Sequence, residues 1–121
     1  DVEEQFRKLA RSGSLAERIR KAFLNEKIDL SANQQAVANY FHISARTLNR
    51  HLYREDTSLK QIVTMVRVDL AKRMLLATTT PIEEIAIRVG LSGRRTLDRI
   101  FIKEEQVSPA QYRQQSQPTV A

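Results

Sequence analysis

The apolar positions of this chain recur at helical rather than strand spacing. Leu59, Ile62, Val63, Val66, Leu70 and Met74 form a run in the middle, Leu48 and Leu52 precede it, and Leu97, Ile100 and Phe101 follow. Residues three or four apart share one helix face, so each set is a stripe able to face a core. No convincing period-two alternation separates them. Between the stripes, helix starts are written as Ser or Thr, whose hydroxyl can accept from a free backbone N–H, often with Glu or Gln three residues on. Ser14 with Glu17, Ser31 with Gln34 and Ser58 with Gln61 have this form, and Ser44 and Ser92 are simpler caps. Thr80-Pro81-Ile82-Glu83 and Ser108-Pro109-Ala110-Gln111 add proline at the first helical position, where its missing N–H costs nothing.

These signals predict an all-α chain of about seven helices: Leu15 to Glu26, Asn33 to Phe41, Ala45 to Glu55, Leu59 to Ala77, Ile82 to Val89, Gly93 to Glu104 and Pro109 to Gln115. Ahead of them, Val2, Phe6 and Leu9 give residues 1–13 a short apolar stripe, expected to be a leader or the end of a connector from an upstream domain. Residues 116–121 are expected to fray.

Two stretches repeat. "VANYFHISARTLNRHL" from Val37 and "IAIRVGLSGRRTLDRIF" from Ile85 each run from an apolar residue and an Ala, through a tight turn ending in Ser, into a helix whose Leu lies about ten positions beyond that Ala. A small residue, Ala38 or Ala86, lets two helices cross closely, and Leu48 or Leu97 fills the angle between them, which is helix-turn-helix spacing. One copy turns at Gly90, the other through Phe41, His42 and Ile43. The second helix of each pair carries Arg46, Asn49, Arg50 and Tyr53 in the first copy, and Arg95, Asp98, Arg99 and Ile102 in the second, on the face away from the apolar residues. Arg can pair bidentately with guanine, Asn with adenine, and Asp can accept from cytosine N4. A single arginine face is ordinarily just solvated. The same face behind two helix-turn-helix units favours DNA reading. Leu59 to Ala77 spans roughly 28 Å at 1.5 Å per residue, near the roughly 34 Å between successive major-groove openings. The fold class is therefore two helix-turn-helix subdomains joined by a long linker helix.

Composition sharpens this picture. The 121 residues suit about one domain, the 41% hydrophobic content suffices for a modest core, and the net charge of +6 asks for an acidic partner, nucleic acid or an anionic membrane surface. No apolar run approaches the roughly 18 residues of a bilayer span, so no membrane partner is expected. With no Cys, disulfides and Cys-ligated zinc are excluded. His42 and His51 lie nine positions apart without a carboxylate cluster and are poor metal ligands. No nucleophile, base and orienting partner come together and no glycine-rich phosphate loop exists, so neither catalysis nor a cofactor is expected. The chain begins at Asp1 rather than Met, and a fragment of a longer protein is expected.

The two units, Arg67, Ala71 and Met74-Leu75, "TPIEEIAIRVGL" at Thr80 to Leu91 and "VSPAQYR" at Val107 to Arg113 together resemble the DNA-binding domain of AraC/XylS-type bacterial transcription regulators, from about Ser14 to Arg113. The resemblance implies a DNA-binding domain over residues 14–115, with a first unit at 14–56, a linker helix at 57–78 and a second unit at 79–115. Carried over by motif, base contacts fall on Arg46, Asn49 and Arg50, and on Arg94, Arg95 and Arg99. It also implies that the starts of the second and fifth helices meet phosphates, with Asn33, Gln34, Thr80 and Ile82 as candidates. Ser44, Thr47 and Thr96 are added as backbone contacts. The implied partners are double-stranded promoter DNA and RNA polymerase, with a sensor or dimerisation domain outside this chain, in a cytoplasmic, nucleoid-associated activator.

The chain departs from the family pattern at several points. No Gly follows the first recognition helix in "REDTSL", Leu91 replaces a Phe, Ile102 a Lys, and Gln106 a Gly. Asp98 would repel a phosphate and is expected to restrain Arg95 or Arg99. Two other functions stay open here: a nonspecific architectural DNA-binding protein holding phosphate alone, and a helical protein-interaction module, which would need a large exposed apolar patch.

Overall fold

The structure is a computed structural model that describes residues 13–116. The stripe of Val2, Phe6 and Leu9 and the tail beyond Ser116 lie outside them. Seven helices follow in order: α1 Leu15–Leu24, α2 Gln34–Tyr40, α3 Ala45–Arg54, α4 Leu59–Ala77, α5 Ile82–Arg88, α6 Arg94–Glu105 and α7 Pro109–Ser116. Among the described residues there is no strand. Ser116, expected in the tail, closes α7 instead.

Most helix starts are built as the sequence writes them. Ser14 Oγ accepts from Glu17 N at 3.1 Å, Ser44 Oγ from Thr47 N at 3.0 Å, and Ser58 Oγ from Gln61 N at 3.2 Å. Ser108 and Gln111 form the full reciprocal box: Gln111 N donates to Ser108 Oγ at 3.1 Å and Ser108 N to Gln111 Oε1 at 2.8 Å. Three expected caps are corrected. Asn33, not Ser31, caps α2, its Oδ1 accepting from Ala36 N at 2.9 Å. Ser31 donates instead from its N–H and its hydroxyl to Asp29 Oδ1, and these two bonds hold the Asp29 carboxyl below its ordinary pKa. Before α5 the cap position is Pro81 rather than Thr80, whose N–H turns back to Thr78 Oγ1 at 3.2 Å. At α6 the cap is Gly93, without a side-chain hydrogen bond, rather than Ser92.

Helix ends share a device that the residue types conceal. After α1, α2, α3 and α5 the residue beyond the C-cap has positive φ: Glu26 at 59°, His42 at 58°, Asp56 at 58° and Gly90 at 88°. Each lets the next N–H reach back five residues, Lys27 to Ala22 O, Ile43 to Ala38 O, Thr57 to Leu52 O and Leu91 to Ala86 O, so that orphan carbonyls are satisfied. Asp56 thus does in "REDTSL" what a glycine would do more cheaply. Gln106, where the family pattern has Gly, ends α6 at φ 63°. A left-handed L-residue costs about 1–2 kcal/mol, partly offset by the larger chain entropy glycine loses on folding. His42→Gly and Gln106→Gly are therefore each expected to raise stability by about 0.5–1 kcal/mol. In urea titrations the midpoint should rise with an unchanged slope.

The described residues form two compact units that meet between Val63 and Thr64, inside α4. In the first, Leu15, Ile19, Ala22 and Phe23 of α1 are buried with Ile28, Val37, Ala38, Leu48, Leu52 and Ile62. Glu55, at the end of α3, accepts from Ala16 N at 3.0 Å and so satisfies a free N–H in the first turn of α1. In the second, Val68, Ala71 and Leu75 of α4 pack with Ile85, Ala86, Val89, Leu97 and Phe101. This corrects the single apolar stripe expected along α4. Ile62 and Val66 are buried on one face, while Val68, Ala71 and Leu75 are buried on another, because 100° per residue puts these sets on different sides. Leu59, Val63, Leu70 and Met74 are only half-buried.

Two long-range links brace the second unit. Arg113 Nε donates to Leu75 O at 3.1 Å and its Nη2 to Thr78 O at 3.2 Å, so α7 closes the carbonyl end of α4 with a cation where the helix dipole is negative. Lys72 Nζ lies 2.9 Å from Glu105 Oε1, and that hydrogen bond raises the lysine pKa.

Candidate nucleic-acid interface

The two helix-turn-helix units share two backbone hydrogen bonds at their turns. In the first, His42 N donates to Asn39 O and Ile43 N to Ala38 O; in the second, Gly90 N donates to Ile87 O and Leu91 N to Ala86 O. Ala38, Ala86, Leu48 and Leu97 are all fully buried, as crossing helices require. The second turn has an extra brace, Arg67 Nη1 of α4 donating to Gly90 O at 2.9 Å. The repeat then falls out of step by one residue, Gly93, so Arg46 corresponds to Arg95, Asn49 to Asp98 and Arg50 to Arg99.

With Leu48 and Leu52 held inward, α3 turns Arg46, Asn49, Arg50 and Tyr53 outward; all four are exposed, Tyr53 by 82%. No carboxylate shares this face, and neither Arg46 nor Arg50 holds an ion pair among the described residues. Asn49 does have a partner: its Nδ2 donates to Gln34 Oε1, at the first position of α2, at 2.8 Å. Asn33 spends its carbonyl oxygen on the α2 cap. Ser44 and Thr47 are joined, hydroxyl to hydroxyl, at 2.9 Å.

The second surface is less purely cationic. Arg94, Arg95 and Arg99 are exposed on α6, with Ile102 beside them. Asp98 is half-buried, and its Oδ2 sits 3.7 Å from Arg94 Nε, so it restrains Arg94 rather than Arg95 or Arg99 as expected. Its Oδ1 is buried without a hydrogen-bond partner. A carboxylate of α5 also approaches the start of α6: a Cβ added at Gly93 would meet Glu83 Oε1 at 3.4 Å. Thr96 Oγ1 and Ser92 Oγ lie 3.2 Å apart. Thr80 is half-buried, and Ile82 packs its side chain against the core, leaving only backbone groups for an outside ligand. The contacts of Gln34, Arg67, Glu83 and Arg113 escape sequence reasoning because each joins residues far apart in the chain. The resemblance marks Gln34 as a phosphate contact but not as the partner of Asn49; it occupies in α2 the place of Ile82 in α5.

Residues 37–115 match the model of a family described as a helix-turn-helix domain. The chain belongs to the AraC-type helix-turn-helix family. The ornithine utilization regulator of Pseudomonas aeruginosa is 34% identical over 100 residues, covering 83% of this chain and 29% of that protein. The transcriptional activator CsvR of Escherichia coli is 33% identical over 76 residues, 63% of this chain and 28% of that one. This AraC-type domain thus spans under a third of the length of these curated relatives. Its fold also matches the DNA-binding domain of AdpA, a global transcriptional factor solved in complex with a target DNA, with a TM-score of 0.65 and 24% identity over 83% of this chain and 90% of that one. Family and relatives are DNA-binding transcription regulators, not enzymes. No described helix of this AraC-type domain is long and apolar enough to cross a membrane.

Proposed function

We propose that this domain binds double-stranded DNA sequence-specifically, placing α3 and α6 in successive major-groove segments of a promoter as part of a bacterial transcription activator. The observation that carries the reading is the pairing of two helix-turn-helix units, each with an exposed, arginine-bearing face on its second helix. In the first unit Arg46, Asn49 and Arg50 read base edges; in the second Arg94, Arg95 and Arg99 do so. Asn33, Gln34, Ser44 and Thr47, with Thr80, Ile82 and Thr96, meet the backbone, Ile82 through its N–H. The AdpA domain's target DNA and the name of the activator CsvR support the DNA partner and the direction of control. RNA polymerase is the further partner proposed, with a sensor or dimerisation domain elsewhere in the full protein, acting at the nucleoid in the cytoplasm.

Selection of bound duplexes from a random pool at moderately high salt tests this. The expected result is an enriched motif of two blocks about one helical turn apart. Retention without enrichment would replace sequence reading by phosphate attachment alone.

A further inference from the structure

The hydrogen bond from Asn49 to Gln34 has no counterpart in the second unit. There the corresponding positions are Asp98 and Ile82; the isoleucine cannot accept, and the aspartate turns to Arg94. The internal repeat is thus a built-in control, one copy with an oriented amide on its reading helix and one without.

We propose that Gln34 is a positioning residue that holds the Asn49 amide ready for adenine, so that the first unit demands an A·T pair beneath Asn49 that the second unit does not demand beneath Asp98. This rests on the reading of Asn49 as a base contact given above. An asparagine amide has two N–H donors and one carbonyl oxygen. Gln34 takes one donor at 2.8 Å, leaving the other donor and Oδ1, the pair that adenine N7 and N6–H₂ require. A guanine would set its O6 acceptor against Oδ1. A phosphate accepts and never donates, so from the Gln34 side chain it can engage only Nε2. Backbone docking of the α2 start therefore turns Gln34 Oε1 toward Asn49, and the phosphate contact and the base contact become one arrangement.

The test uses the duplex recovered by selection, copies with that A·T pair exchanged, and one with 7-deazaadenine, which lacks only the N7 acceptor. The variants are Gln34→Met, Gln34→Glu, Asn49→Ala and the double variant Gln34→Met/Asn49→Ala. The wild type is expected to prefer adenine by about ten-fold or more over the exchanged pairs and to bind the deaza duplex more weakly. Gln34→Met should lose most of that preference, and should cost no further preference once Asn49 is alanine. Because Gln34 is uncharged, the salt dependence of binding should keep its slope. Gln34→Glu keeps an acceptor for Asn49 and should retain the preference while weakening every duplex alike. Gln34 is exposed, and melting curves confirm the fold of each variant. If Asn49→Ala abolishes the preference but Gln34→Met leaves it intact, the positioning role is overturned and the base contact stands. If Asn49→Ala changes no preference, both the base contact and this inference fall.

Discussion

Phe101→Ala is expected to destabilise the domain by about 3–5 kcal/mol, the range for removing a fully buried phenylalanine from a core that collapses only partly. Phe101 has no exposed surface, lies among Val68, Ala71, Leu75, Ile85, Ala86, Val89 and Leu97, and meets the Tyr112 ring edge to face at 5.4 Å. The truncation removes area burial and an aromatic pair together, and the hole opens where α4, α5, α6 and α7 converge. Small domains hold only about 5–15 kcal/mol in total, so the loss should lower the thermal midpoint by more than about 10 °C. Its neighbour is the control. Ile102 is one residue on but 48% exposed, and Ile102→Ala should stay within about 0.5 kcal/mol. Thermal unfolding followed by circular dichroism at 222 nm checks both; equal losses would mean that α6 packs by a different face.

That contrast was legible in the sequence, because Leu97 and Phe101 fall four apart and Ile102 falls on the outward, arginine-bearing face. The repeat was legible for the same reason: Ala38, Leu48, Ala86 and Leu97 are local in spacing, and local spacing fixes which side of a helix a residue occupies. What could not be read is what depends on a third element arriving. The spacing of α4 puts Val68, Ala71 and Leu75 on a different side from Ile62 and Val66, but nothing in it shows that α5 and α6 arrive to bury that side. Nothing near Arg113 says that it closes α4, although its family motif marks it as more than a solvated charge. Left-handed residues were half legible. Glycine announces itself at Gly90, but His42 and Asp56 take the same conformation because the reach-back hydrogen bonds offset their strain.

The candidate site divides along the same line. Exposure of the arginines follows from the apolar residues that anchor the helices, so their presence on the surface was predictable from sequence. Their pairing was not. Asn49 with Gln34 and Arg94 with Asp98 depend on side-chain reach, and these pairs make the two surfaces chemically unlike. The first is cationic and amide-bearing, with Arg46 and Arg50 in no ion pair among the described residues, whereas the second carries Asp98 within the face and Glu83 near its start.

This inequality sets the expected result for Arg50→Ala: a loss of about 1–3 kcal/mol in binding to the selected duplex, roughly five- to 150-fold, with relaxed preference at one base pair. Arg50 is exposed and adjoins Asn49. With no ion pair to break among the described residues, the bidentate guanine contact proposed for it is available as net affinity. Arg94→Ala should cost less on the same duplex, because in the free domain Arg94 already lies 3.7 Å from Asp98 and exchanges one partner for another. The exposed pair is worth only about 0–1 kcal/mol, so the difference between the variants should be modest but of fixed sign. Titrations across a salt series separate base reading from phosphate holding. If Arg50 reads a base, the preference falls while the log–log salt slope stays nearly unchanged; if it holds a phosphate, all sequences weaken alike and the slope drops by about 0.9. The second outcome would move Arg50 from the groove to the backbone and leave Arg46 and Asn49 as the reading residues of the first unit.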